Sequence, residues 1–276
     1  MALTSIVSVQ VGAAVATSLF DSVGPLGAVF LRSVFGALLL VALARGATPS
    51  PRRLPRDVVL FGAAVAGVTL CFYEAIERLP LGIAVTIQFT GPLGVAVFGS
   101  RRRLDLLWAL LAGLGIVLLS GLGGEGGIDA AGAAFALAAA AFWAAYIVLS
   151  ARVGAAYEGV GPAAGAAIVS ALLLAPTGLA AAGAELLAPA ALAVGFVVGL
   201  LSSAAPFALE MEALRRLPRA TFGVMMSLEP AVAATVGFLV LSQDLSSADV
   251  AGIALVVVAS AGALREVGAP APTPLE

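Results

Sequence analysis

The sequence predicts an all-α integral membrane protein whose ten transmembrane helices form two inverted five-helix repeats. Three observations lead there: a composition too apolar for water, ten apolar stretches of membrane-crossing length, and a motif that recurs in both halves. Of the 276 residues, 61% are hydrophobic and 11% are charged, and the mean hydropathy is +1.11. Soluble domains carry about 25% charged residues, so lipid must act as solvent for most of this surface.

A helix crosses the hydrocarbon core with about 20 largely apolar residues. The candidates in the first half are 3–20, 27–44, 57–76, 81–99 and 106–122. Those in the second half are 130–150, 163–182, 189–211, 220–241 and 248–264. Gly, Pro or charge sets each one off, as turn chemistry requires. Asp21 precedes the second span, Arg45 to Arg56 the third, Pro80 the fourth and Arg101-Arg102-Arg103 the fifth. Glu125 and Asp129 precede the sixth, Arg152 the seventh, Glu185 the eighth, Arg219 the ninth and Asp244 the tenth. Residues 268–276, rich in Pro and Ala, read as a disordered cytoplasmic tail. Met1-Ala2-Leu3-Thr4 carries no basic residue, so the first span reads as an uncleaved helix and not a secretory signal.

The repeat is explicit. Glu74-Ala75-Ile76-Glu77-Arg78-Leu79-Pro80 is followed twelve positions on by Pro92, and Glu212-Ala213-Leu214-Arg215-Arg216-Leu217-Pro218 twelve positions on by Pro230. Five spans per copy is an odd number, so residues 1–125 and 126–267 must insert in opposite senses. Charge placement agrees with that. Twelve of the 14 basic residues, all arginine, fall on one set of connections or just after the last span. The positive-inside rule makes that face cytoplasmic and places both termini there. Gly91-Pro92 and Glu229-Pro230 then interrupt matching spans of the two repeats, and broken spans of this kind point to a carrier's binding site.

Much chemistry is excluded. There is no histidine, and the one cysteine, Cys71, can form neither an intramolecular disulfide nor a zinc site. No nucleophile–base pair is recognisable, so the chain is not expected to be an enzyme. No cofactor, metal or nucleic-acid partner is expected either. The implied partners are the bilayer and a small-molecule substrate.

Ionisable groups at bilayer depth cost at least about 2.5 kcal/mol and usually face a cavity or a partner. Glu229 sits mid-span beside Pro230, which frees the Met226 carbonyl from its helical partner. Carboxylate and free carbonyl together suit an ammonium group or a proton; the alternative is a structural hydrogen bond to a neighbouring helix. Arg32 reads as a carboxylate clamp, as an ion-pair partner, or as a side chain snorkelling to the interface. Glu74 and Glu212 are candidate charge partners, although Arg78 and Arg216 lie four residues after them. Gln10, Thr86, Gln88, Thr90 and Ser227 are candidate polar lining. Tyr73, Trp143 and Tyr146 can wall a pocket or join an interfacial aromatic belt. Gly91, Pro92 and Pro230 are candidate hinges.

Arg-Leu-Pro-Leu-Gly-Ile-Ala-Val-Thr-Ile-Gln-Phe-Thr-Gly-Pro-Leu (78–93), Ser227-Leu-Glu229-Pro230-Ala231 and Trp143-Ala-Ala-Tyr146-Ile147 resemble motifs of one family. It is the threonine/homoserine exporter family of the drug/metabolite transporter superfamily (EamA type), and the similarity runs from about Gln10 to Leu264. The resemblance implies export of small neutral amino acids across a bacterial inner membrane. One position departs. The family pattern has Glu-Phe-Thr-Gly-Pro where this chain has Gln88-Phe89-Thr90-Gly91-Pro92. An amide does not exchange a proton at neutral pH, so proton antiport is expected to rest on Glu229. The alternatives are export of drugs, nucleosides or purine-like metabolites on the same fold, or a membrane scaffold that transports nothing.

Overall fold

Proline and glycine decide where the helices of this chain begin, kink and stop. The computed structural model describes residues 1–44, 54–99, 104–119, 129–157, 159–216 and 219–267. Helices make up nearly all of these residues, and no strand occurs among them. The tail 268–276, Pro218 and the arginine clusters at 45–53 and 101–103 lie outside the described residues.

Helix α1 (Ala2–Thr17) turns at Ser18-Leu19 into α2 (Phe20–Leu43). A short helical turn from Phe20 precedes the predicted start at 27. Gly24, at φ 67° and ψ 172°, leaves helical geometry as glycine can and kinks the chain, so the uninterrupted helix begins at Pro25. Helix α3 (Arg56–Arg78) ends where Leu79 becomes extended before Pro80, as a residue preceding proline prefers. Helices α4 (Leu81–Gln88) and α5 (Thr90–Gly99) share the fourth apolar stretch, and α6 (Leu104–Leu119) follows.

In the second half, α7 (Ala130–Ala156) is capped by Asp129, whose side chain accepts from the Ala131 N–H at 2.9 Å. Helix α8 (Gly161–Ala182) stops at Gly183, φ 50°. After a 3-10 turn, α9 (Pro189–Gly199) runs through a π-helical turn, Leu200–Ala204, into α10 (Ala205–Arg216). Helices α11 (Arg219–Met226) and α12 (Glu229–Leu241) share the ninth stretch, and α13 (Ser247–Val267) is the last.

Seven helices or helix pairs among the described residues are long and apolar enough to cross a membrane. Three more, Ala2–Thr17, Leu107–Leu119 and Ser247–Ala263, are apolar but shorter.

The two broken spans break by one rule. A proline ring clashes with the carbonyl four residues back and supplies no N–H to it. For Pro92 that residue is Gln88, and for Pro230 it is Met226. Those are the last residues of α4 and α11. The interruption therefore falls at Phe89 and at Ser227-Leu228, just before the dipeptides Gly91-Pro92 and Glu229-Pro230.

The core sits where α3 packs on α7, α2 on α8, α4 on α12 and α6 on α13. Tyr73, Phe89, Ile6 and Leu81 are among its largest fully buried side chains. At Gly91 a Cβ would overlap the Ala140 carbonyl, so only glycine lets α5 lie this close to α7. Leu110 and Leu239 are 71% and 70% exposed, which suits surfaces that meet lipid.

Candidate functional site

The helix breaks meet at a cavity of about 540 Å³. Sites for small molecules span about 300–1,000 Å³. Gln88, Phe89 and Pro92 line it from the first half, and Met226 and Glu229 from the second.

Helix α1 reaches the cavity with a face that buries two polar side chains, Ser5 and Gln10. The Gln10 Nε2 donates to Glu229 Oε1 at 3.1 Å, and Ser5 Oγ donates to Glu210 Oε1 at 2.7 Å. One helix of the first half thus holds two carboxylates of the second. Gln10 is 1% exposed and Glu229 7%. Their remaining oxygens, Gln10 Oε1 and Glu229 Oε2, have no partner among the described residues. Both residues line the cavity, so this unused acceptor capacity lies at the wall of a space large enough for a ligand.

Trp143 and Tyr146 are wall residues and not an interfacial belt. Trp143 meets Phe89 edge-on at 5.5 Å, and Tyr146 lies 5.1 Å from Phe61. All four line the cavity, as does Tyr73.

Other expected lining residues stand elsewhere. Thr86 donates to the Gly82 carbonyl at 2.6 Å, Thr90 to Ile87 at 2.7 Å, and Ser227 to Val224 at 2.6 Å. Hydroxyls in helices take nearby carbonyls in this way, and none of the three lines the cavity. Of the expected hinges, Pro92 lines it, whereas Gly91 is wedged against α7.

The three expected charge partners also divide. Glu74 pairs with Arg78 at 2.8 Å, and Glu212 accepts from Arg216 Nε at 2.7 Å. Both are one-turn ion pairs outside the cavity lining. Arg32 makes no ion pair with any described acidic residue, and it does not snorkel away. Its Nη2 donates to the Ser202 carbonyl at 3.0 Å, and its guanidinium lies 5.6 Å from the Tyr73 ring centre.

Sequence reasoning missed the π-helical turn that supplies this carbonyl. The signal was present: Pro206 lies four residues after Ser202, so by the same rule Pro206 frees the Ser202 oxygen. Ser202, Ser203 and Ser170 line the cavity from elements that the motif search passed over.

Truncating Gln10 to alanine should leave Glu229 without a hydrogen-bond partner in a buried place. A loss of about 1–3 kcal/mol is expected, read as a lower unfolding midpoint of the purified protein in detergent. An unchanged midpoint would mean that the 3.1 Å contact holds nothing.

An all-helical membrane protein with a polar-studded cavity at paired helix breaks has the build of a secondary transporter. The EamA-like transporter family matches residues 1–122 and 130–265. The chain belongs to that family. It is 41% identical over 266 residues to the threonine/homoserine exporter RhtA of Escherichia coli (strain K12), covering 94% of this chain and 88% of that one. It is 40% identical over 264 residues to the threonine/homoserine exporter RhtA of Salmonella typhimurium (strain SL1344), with the same coverage. A protein known by crystal structure shares the fold at 24% identity, with a TM-score of 0.62 over 96% of this chain and 98% of that one. The chain is thus a multi-pass membrane transporter of the EamA-like family.

Proposed function

We propose that the chain exports small neutral amino acids of the threonine and homoserine type from the cytoplasm of a bacterium across its inner membrane. The buried Gln10–Glu229 pair at the meeting of the two helix breaks carries this reading. It supplies an acceptor for an ammonium group or a proton. The relatives named threonine/homoserine exporters support the choice of cargo.

Ten spans complete the architecture, the three shorter apolar helices serving as spans one, five and ten. The family's match over 1–122 and 130–265 supports two repeats, and the arginine distribution supports their opposite orientation with both termini cytoplasmic. Cavity lining reaches Leu40, Phe61, Ala163 and Phe207, toward the helix ends nearest the arginine-bearing connections. At the other end, the Leu81 N–H donates to Gln243 Oε1 at 2.9 Å, and Gly82 lies against the Ala234 backbone. The described conformation is then the cytoplasm-facing one. Rocking of one repeat against the other would open the far side.

Counterflow of radiolabelled threonine and homoserine in proteoliposomes tests the cargo; no flux with either rejects it. Proton antiport is tested in inverted vesicles with and without a pH gradient, where equal rates reject coupling. Single cysteines at Pro80 and Pro218, on a Cys71→Ala background, should label from opposite sides of the membrane. Labelling from the same side would remove the inverted symmetry.

A second reading, larger amphipathic or nucleoside cargo, draws on the aromatic wall of Phe89, Trp143, Phe61 and Tyr146. Competition by such compounds in the same counterflow assay separates the two.

A further inference from the structure

Arg32 is the only cation lining the cavity among the described residues. A guanidinium within a bilayer-spanning helix is costly and functional by default. Here its electrostatic partner is missing. No described acidic side chain forms an ion pair with it, and its buried Nε has no hydrogen-bond partner among the described residues. One N–H is fixed on the Ser202 carbonyl at 3.0 Å, and the Tyr73 ring backs it at 5.6 Å. The planar group is therefore oriented but not neutralised.

Ser202 adds a second donor. Ser202 lines the cavity at 8% exposure, and its hydroxyl, set beside Gly12 of α1, has no hydrogen-bond partner among the described residues. The π-helical turn holds it there from both sides. Ser8 Oγ donates to the Leu201 carbonyl at 2.8 Å, and Gly12 and Gly36 admit Ser202 and Ser203 where a Cβ would collide with them.

We propose that Arg32 and the Ser202 hydroxyl form an anion subsite that receives the carboxylate of an α-amino acid, while the Gln10–Glu229 pair receives its ammonium group. This deepens the reading of the cavity as an amino-acid site and rests on it. The chemistry favours a carboxylate. A guanidinium offers a rigid fork of donors that matches two carboxylate oxygens. A neutral cargo would leave that charge desolvated, and a cargo with only an ammonium group would be repelled by it. One guanidinium together with the Glu229 and Glu210 carboxyl groups, all lining a single largely apolar cavity, therefore selects a zwitterion. The cavity reads the amino-acid backbone, and the aromatic wall is left to meet the side chain.

The test uses the full chain, purified and reconstituted. Two probes are compared: threonine, and the amino alcohol with the same side chain and ammonium group but no carboxylate. Each is measured by competition in counterflow and by ligand-induced thermal stabilisation in detergent. The wild type should prefer threonine by about ten-fold or more, the scale of one hydrogen bond to a charged group. Arg32→Gln should weaken threonine by about that factor and leave the amino alcohol no weaker, with relief of like-charge repulsion favouring it, so the preference disappears. Arg32→Lys should keep part of it, and Ser202→Ala should reduce it a few-fold. Equal weakening of both probes would reduce Arg32 to a structural prop and overturn the proposal, as would an Arg32→Gln protein that still prefers threonine. A wild type that handles neither probe defeats the amino-acid reading itself, and the anion subsite with it.

Discussion

Replacing Glu229 with glutamine should lower threonine export by about 10- to 150-fold, the equivalent of losing one charge-assisted contact worth about 1.5–3 kcal/mol. The helices should still assemble, because a glutamine carbonyl can accept from Gln10 Nε2 as Oε1 of Glu229 does at 3.1 Å. What disappears is the negative charge. An ammonium group then loses its counter-charge at the cavity, and a proton loses its carrier. Flux in proteoliposomes, measured beside the elution profile of the purified protein, checks both halves of the expectation. If a well-folded Glu229→Gln protein moves cargo at the wild-type rate, the carboxylate handles neither cargo nor proton.

The second large effect concerns packing. Gly91→Ala should destabilise the protein by at least the roughly 1–3 kcal/mol of an overpacked core. The added methyl meets the Ala140 carbonyl of α7, a backbone atom that cannot rotate aside. Gly94→Ala is the control, only three residues along the same helix. Its Cβ would meet nothing nearer than a Phe98 ring carbon at 4.0 Å. Alanine is there expected to be neutral or to stabilise the helix by up to about 1 kcal/mol. Thermal unfolding of the two variants, side by side in one detergent, decides the matter. Equal midpoints would mean that α5 and α7 do not touch as closely as described.

That contrast also shows what the sequence could and could not disclose. Gly91 and Gly94 are equivalent in an apolar run, and only the partner helix distinguishes them. Apolar stretches and their punctuation were legible because they follow from hydrocarbon thickness and from backbone chemistry local to Gly and Pro. Glu229 and Gln10 were legible as residues, since lipid does not tolerate unpartnered polar groups. Their pairing was not, being a contact between residues 219 positions apart. Thr86, Thr90 and Ser227 were read as lining because a hydroxyl in an apolar helix has two outlets. Periodicity cannot say whether it faces a cavity or its own carbonyls. Arg32 gave the opposite lesson. Its side chain is kept from snorkelling by the Ser202 carbonyl, which Pro206 frees in a turn that the hydropathy pattern smooths over.

Gln243 holds the end of α4 through the Leu81 N–H, and Gly237 leaves room for its side-chain oxygen. In the orientation proposed above, this seam lies toward the periplasm. An uncharged amide offers dissolved ions nothing to screen and carries no proton that acid could add or remove near neutrality. Brine or mild acidity outside the cell should therefore leave this latch as it is. The decision to unfasten it would then belong to what arrives from within.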